Sequence, residues 1–289
     1  MPSGQNGYVR KYKADGTADG NFFVGGLHHS IAVDNKTGNV LVDAYDYDES
    51  GGATVPYPTQ PASQDPAMAV AAENGYGCFV QPANNSASCY NLVGGDIGAP
   101  VVTASNLGTT PMAIAMALFG TETDAFVVSI DGTPSLYKVR ASDATVEGSA
   151  LPLPGVTPIS TVQNTNPFAG GWQVIVFDSG PASGTVAVLS TYDHLLLFVN
   201  ATTLTVTKQV VLTDTPFRIA ADVTHGAVIV AYANPANVTT TFASVDVASG
   251  TVTPLLNTSS LLSVGLAVNS NGTNLYSAQR NQIEVKQNQ

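Results

Sequence analysis

Three groups of side chains in this sequence are of the types that bind ions or ligands. The first is His28 and His29, followed by the acidic run Asp43, Asp46, Asp48 and Glu49, interleaved with Tyr45 and Tyr47. A hard cation such as calcium takes several carboxylate or carbonyl oxygens, and Asp46, Asp48 and Glu49 are the candidate ligands. Their spacing lacks the fixed glycine and distal glutamate of an EF-hand loop, so they also read as a solvated acidic loop. The second group is Tyr192-Asp193-His194. The third is Arg218, a lone cation that suits an anionic ligand or a carboxylate partner such as Glu73. His28, His29 and His194 are zinc-ligand types, usable only if remote parts of the chain meet; otherwise they are surface imidazoles. Tyr45, Tyr47 and Tyr192 are candidate binding anchors. The sequence has no Gly-x-Ser-x-Gly elbow, no His-Glu-x-x-His and no phosphate-cradling glycine loop. Serine and threonine are too abundant to single out a nucleophile.

What must position these residues is a repeated phrase. Its clearest copy is Pro216-Phe217-Arg218-Ile219-Ala220-Ala221-Asp222, a turn containing Gly226, then Ala227-Val228-Ile229-Val230-Ala231-Tyr232. Five relatives begin at Ser30, Ala67, Met112, Trp172 and Gly265. Each is an apolar strand, a tight turn and a second apolar strand. A second phrase follows several copies: Val245-Asp246-Val247-Ala248-Ser249-Gly250-Thr251-Val252, with relatives from Val139 and Val199. β-Branched residues in its strands and Asx, Ser or Gly in its turns supply two more strands. Most copies lie roughly 45 residues apart, the length of one four-stranded propeller blade. A unit of this kind cannot bury its apolar face alone, so the expectation is an all-β propeller of six blades. Seven blades remain the alternative, with residues 1–26 as a separate partial blade. The stretch from Pro152 to Gly171 reads as an inserted loop.

The chain ends are complementary. Residues 8–17 match a third strand and its turn, and Ile283-Glu284-Val285-Lys286 is a third strand with no fourth after it. The expectation is one domain, residues 1–289, with residues 1–26 completing the last blade and closing the ring, which removes open sheet edges. In such a ring the loop entering the first strand and the loop between the second and third strands share one face. His28, His29, the acidic run and His194 then share that face. Asp34, Asp178, Asp222 and Asn269 recur at the end of the first strand, where their side chains set the turn.

The phrase Ile-Ala-x-Asp, a turn and Val-x-Val, followed by Val-x-Val-Ala-Ser-Gly-Thr-Val, resembles propellers of the NHL and YVTN repeat families over nearly the whole chain. The likeness is one of fold grammar. Propellers of this kind include enzymes, binding modules and scaffolds, so it implies an architecture and no activity.

Composition narrows the partners. Only 11% of the 289 residues are charged and the net charge is −11. That disfavours nucleic acid and anionic membrane surfaces, which need clustered Lys and Arg. No apolar run approaches the roughly 20 residues of a membrane span. Cys78 and Cys89 fall on neighbouring antiparallel strands, within reach of a disulfide, which implies an oxidising compartment; two buried free thiols are the alternative. Glycosylation triplets at Asn35, Asn84, Asn200, Asn237, Asn257 and Asn271 add little in an Asn- and Thr-rich chain. The reading is a secreted, periplasmic or cell-surface propeller acting as a binding or scaffold module for a protein or glycan. The alternatives are a metal-dependent lactonase or lyase, with calcium as the candidate ion, and a structural repeat of a larger adhesin.

Overall fold

Strand, tight turn, strand is what the repeated phrase builds. The computed structural model describes residues 8–13, 17–23, 30–42, 45–47, 53–56, 69–93, 102–161, 172–234, 239–259, 265–278 and 283–288. These divide into two units: residues 1–13 with 17–153, and residues 14–16 with 154–289.

In the first unit β1 (Tyr8–Tyr12) and β2 (Ala18–Phe23) form a two-stranded sheet. Three antiparallel four-stranded sheets follow. They are β3 (Ile31–Val33), β4 (Val40–Val42), β5 (Tyr45–Tyr47), β6 (Ala53–Pro56); β7 (Val70–Glu73), β8 (Tyr76–Gln81), β9 (Ser86–Asn91), β10 (Val102–Ala104); and β11 (Thr109–Phe119), β12 (Glu122–Asp131), β13 (Ser135–Arg140), β14 (Val146–Pro152). The second unit has two more: β15 (Trp172–Phe177), β16 (Thr185–Ser190), β17 (Leu195–Asn200), β18 (Thr205–Val211); and β19 (Thr215–Asp222), β20 (Ala227–Asn234), β21 (Thr239–Asp246), β22 (Val252–Ser259). It ends in a three-stranded sheet of β23 (Gly265–Val268), β24 (Asn274–Ala278) and β25 (Ile283–Gln287). Each sheet is a simple meander, with every strand paired to its sequence neighbour. Among the described residues no helix is long and apolar enough to cross a membrane.

The run Ala227-Val228-Ile229-Val230-Ala231-Tyr232 lacks polar alternation because β20 is buried on both faces. Val228, Val230 and Tyr232 face one cluster with Phe177, Leu189, Leu196 and Phe198 of the preceding sheet. Ile229, Ala231 and Ala233 face the other, with Phe217, Phe242 and Leu275. Side chains alternate across a strand, so a sheet flanked on both sides needs apolar residues at every position. β8 repeats the pattern in the first unit. Phe79 packs with Leu41, Tyr90 and Leu92. Cys78 and Val80 pack with Leu107, Ala125 and Val127. Burying one such Phe is worth about 1.5–3 kcal/mol.

The turns between first and second strands interlock. β7 and β8 are joined by Asn74 and Gly75, both at positive φ, as a two-residue hairpin turn requires. Buried Asp34 takes hydrogen bonds from the Thr37 backbone N–H and hydroxyl on one oxygen, and from the Gly75 N–H on the other. It thus fixes its own turn and the next one. Asn35 accepts from the Asn74 N–H and donates to Glu73. Asp222 accepts from the His225 N–H and from the Asn288 side chain. Turn-setting is therefore what these recurring residues do.

In the second copy β7 runs Val70–Glu73, which places Glu73 beside the hairpin turn, opposite Tyr76. Its carboxylate serves the turn cluster through Asn35. The acidic run does not stay a loop throughout: Asp46 lies in β5, opposite Leu41 of β4 and Val55 of β6. The flanking Tyr45 and Tyr47 explain this, since alternate aromatic residues favour a pleated strand over a loop.

Cys78 and Cys89 stand directly opposite each other on β8 and β9 and form a disulfide with S–S 2.07 Å. The alternative of two free thiols is thereby removed.

Candidate functional site

The turn Thr191–His194 joins β16 to β17, the loop between second and third strands of its sheet. Asp193 is fully occupied in holding it. Its carboxylate accepts from the Thr157 N–H at 3.0 Å, the Thr157 hydroxyl at 2.6 Å and the Ser190 hydroxyl at 2.6 Å. His194 closes the turn at φ 53°, a left-handed conformation uncommon for a residue with a side chain. Its carbonyl accepts from the Leu212 N–H, which ties the turn to the segment entering β19. Tyr192 is 42% exposed on the same turn.

His194 and the entering segment frame a cavity of about 450 Å³ in the second unit. Its lining is His194, Thr213, Asp214, Thr215, Tyr232, Ala233, Asn234 and Thr241. The elements explain why these meet. Thr213–Thr215 lead from β18 into β19. Tyr232, Ala233 and Asn234 end β20, and Thr241 pairs with Tyr232 across β21. The cavity thus gathers the entering loop with second-to-third-strand ends of two adjacent sheets. Burial, with the Asp214 carboxylate adding to it, pushes the Tyr232 phenol up to about 12. Tyr232 is therefore a neutral hydrogen-bond donor throughout the physiological range. Among the described residues neither Lys nor Arg lines the cavity.

The sequence pointed to His194 and missed its companions. Asp214, Tyr232 and Thr241 lie on three separate elements and carry no motif. The one available signal was Tyr232, a polar-tipped aromatic ending an otherwise aliphatic strand.

Arg218 lies in β19 just after a bulge at Phe217, with Pro216 opposite Tyr232 and Arg218 opposite Ala231. β11 has the same irregularity, with Pro111 opposite Ser129 and Ala113 opposite Val128. Proline tolerates such a site because the ladder there is already interrupted. Arg218 thus stands where the other copy has Ala113. Its guanidinium donates to the Phe217 carbonyl at 2.8 Å and lies 5.8 Å from the Phe217 ring centre. Burial holds its pKa below the ordinary guanidinium value. The neighbouring Ile219 N–H donates to Gln173 at 2.6 Å.

His28, His29, Asp43, Asp48 and Glu49 lie outside the described residues, and of Tyr45, Asp46 and Tyr47 only the strand is described. Among the described residues no group of three or more His, Cys, Asp or Glu side chains is arranged to hold a metal ion. The calcium proposal for Asp46, Asp48 and Glu49 has a direct test. A bound ion raises the melting temperature, by about 2.7 kcal/mol of stability at a hundredfold excess over Kd. The expected result is a calcium-dependent rise that EDTA abolishes and that Asp48→Asn with Glu49→Gln removes. An unchanged melting temperature at millimolar calcium would remove the proposal.

No protein-family profile matches the sequence, and no curated protein matches it. Solved structures do resemble it. A chain of the mitotic checkpoint complex superimposes with TM-score 0.65 and 12% identity, over 98% of this chain and 82% of that one. The WD40 domain of Neurospora crassa Pan2 gives 0.62 and 11%, over 90% and 75%. The fold is that of a β-propeller. A chain of Kuenenia stuttgartiensis hydrazine synthase, with TM-score 0.59 and 12% identity over 94% and 86%, is a further likeness. At these identities the likeness concerns the fold alone. In propeller terms each four-stranded meander is a blade, and the cavity opens between two neighbouring blades of the second unit.

Proposed function

We infer that this propeller is a binding or scaffold module, acting outside the cell or at its surface, and that it meets a protein or glycan through the cavity beside His194. The observation that carries this reading is the cavity itself. A polar pocket lies between the ends of two blades, with exposed Tyr192 on the adjoining turn. Concave sites with a few convergent polar groups are where ligands are held. Aromatic side chains beside them supply most of the contact energy. The buried disulfide is compatible with an oxidising compartment. Six blades of NHL or YVTN type, with the chain-end strands sharing the last one, complete the proposed architecture.

The test is capture from the surface and secreted fractions of the source cells with the wild-type chain and with Tyr192→Ala/His194→Ala. A partner retained by the wild type and lost by the variant is the expected result. An identical set of retained molecules would move the site elsewhere.

A further inference from the structure

The chemistry of the cavity names a ligand class within the binding-module reading, on which this step rests. Seven of its eight lining residues carry a hydrogen-bonding side chain; Ala233 is the exception. Thr213, Thr215, Thr241 and Tyr232 contribute hydroxyls, Asp214 a carboxylate, Asn234 an amide and His194 an imidazole. Among the described residues, the side chains of Thr213, Asp214, Thr215, Tyr232 and Thr241 are not tied up in hydrogen bonds to neighbours. We propose that the cavity is a subsite for a neutral saccharide.

Three features favour this chemistry. The first is the density and mixture of the groups. Asp214 accepts only, neutral Tyr232 donates well, and the threonine hydroxyls and the amide do both. A ligand must return both donors and acceptors at close spacing. Sugar hydroxyls do so, since each donates and accepts, and two adjacent hydroxyls can donate together to one carboxylate. An apolar ligand would leave these groups desolvated and unpaired, at about 1–3 kcal/mol each. A lysine ammonium offers donors only, which leaves the Tyr232 hydroxyl donor without an acceptor.

The second feature is charge. Among the described lining residues Asp214 is the one carboxylate and neither Lys nor Arg is present, and the whole chain carries −11. Uronates, sulfated sugars and phosphates would meet repulsion with no described Lys or Arg to offset it. The third is size and surroundings. About 450 Å³ lies inside the range of about 300–1,000 Å³ typical of small-ligand sites. Exposed Tyr192, two residues before His194, offers an aromatic face to the C–H side of a sugar ring extending out of the cavity.

The experiment is a screen of the purified chain against neutral oligosaccharides of glucose, galactose, mannose and N-acetylglucosamine, with titration of any that bind. The same titration is run on Asp214→Asn, Thr241→Ala and Tyr232→Phe. Asp214 and Thr241 are exposed, so their substitutions leave the fold standing, and Tyr232→Phe keeps the ring. At least one neutral oligosaccharide is expected to bind, and Asp214→Asn to weaken it about tenfold or more. The uronate counterpart is expected to bind at least about tenfold more weakly than the neutral sugar. The proposal is overturned if no neutral saccharide binds, if binding survives all three substitutions, or if Lys- and Arg-rich peptides bind and saccharides do not. A protein partner still captured through Tyr192 and His194, with every saccharide inert, would sink the saccharide proposal and leave the binding-module reading intact.

Discussion

Replacing Lys138 with methionine is expected to lower the unfolding free energy at neutral pH by about 3–5 kcal/mol, the usual cost of stripping one partner from a buried ion pair. Lys138 lies in β13, opposite Phe126 of β12 and Glu147 of β14. Its ammonium is 3.0 Å from Asp124 and 2.8 Å from Glu147, and Asp124 is only 1% exposed. The second Asp124 oxygen is buried without a hydrogen-bond partner. Lys138 is therefore the group that makes the buried carboxylate tolerable. Arg140 extends the network to Glu147, Glu122 and Asp143 but does not reach Asp124.

The pH dependence has a definite sign. Burial raises the Asp124 pKa above the usual 3.8, outweighing the hydrogen bond and charge of Lys138. Glu147 is lowered from 4.5, chiefly by the hydrogen bond from Lys138 against its own burial, with Arg140 adding to it. For Lys138, burial alone would lower the pKa, and the hydrogen bonds it donates to Glu147 and Asp124 reverse this. The stabilisation that needs an ionised Glu147 is present above its ordinary pKa and is lost as the pH falls through its lowered value. The Asp124 penalty runs the other way and lifts as the pH falls through its raised value. Protonated Asp124 has no need of an ammonium. The deficit of the Lys138→Met variant should therefore shrink on acidification. Urea denaturation of wild type, Lys138→Met, and Lys138→Met with Asp124→Leu, at neutral pH and near pH 4–5, measures this. The double variant should regain most of the loss. A deficit below about 1 kcal/mol at neutral pH, or one independent of pH, would contradict the account.

The second large effect concerns the disulfide. Replacing both Cys78 and Cys89 with alanine is expected to cost about 3 kcal/mol, because the bridge closes a short loop in the unfolded chain. The two residues are 11 apart in sequence, and both are fully buried. Their neighbours include Val80, Ala87, Leu107, Ala125 and Val127, so the sulfurs also fill space between two sheets. Dithiothreitol in native buffer should leave the bridge intact, since exchange needs an attacking thiolate at the sulfur. Alkylation followed by mass measurement should show two labelled thiols only after unfolding. Rapid labelling of the folded protein, or an unchanged urea midpoint in the double alanine variant, would show that the bridge contributes no such constraint.

Much of this architecture was legible in the chain because its local rules are strong. Alternating exposure was absent from Val228–Ala231 and Ala125–Val128, and both stretches proved to be strands covered on two faces. The Asx residues at first-strand ends marked the turns, and Asp34 bonds as such a residue should. The cysteines were expected on neighbouring strands within reach of a bridge, and the structure sets them directly opposite and joined.

The acidic run misled because composition and pattern disagreed there. Its carboxylates suggested a loop, while Tyr45 and Tyr47 on alternate positions placed Asp46 between them in a strand. The Lys138 network was hidden for a different reason. Its members come from three strands and a turn and meet only through cross-strand register, although seven charged residues from Glu122 to Glu147 stand out in a chain so poor in charge.

The sequence by itself determined that apolar strands alternate with tight Asx- and Gly-bearing turns and that the two cysteines lie within reach of each other, because those depend on neighbours within a single hairpin. Only the tertiary structure decided that His194, Asp214, Tyr232 and Thr241 share one cavity. Pairing within one sheet gathers Asp214, Tyr232 and Thr241, the packing of the preceding blade adds His194, and side-chain periodicity along a strand carries no record of what the adjacent sheet places opposite it.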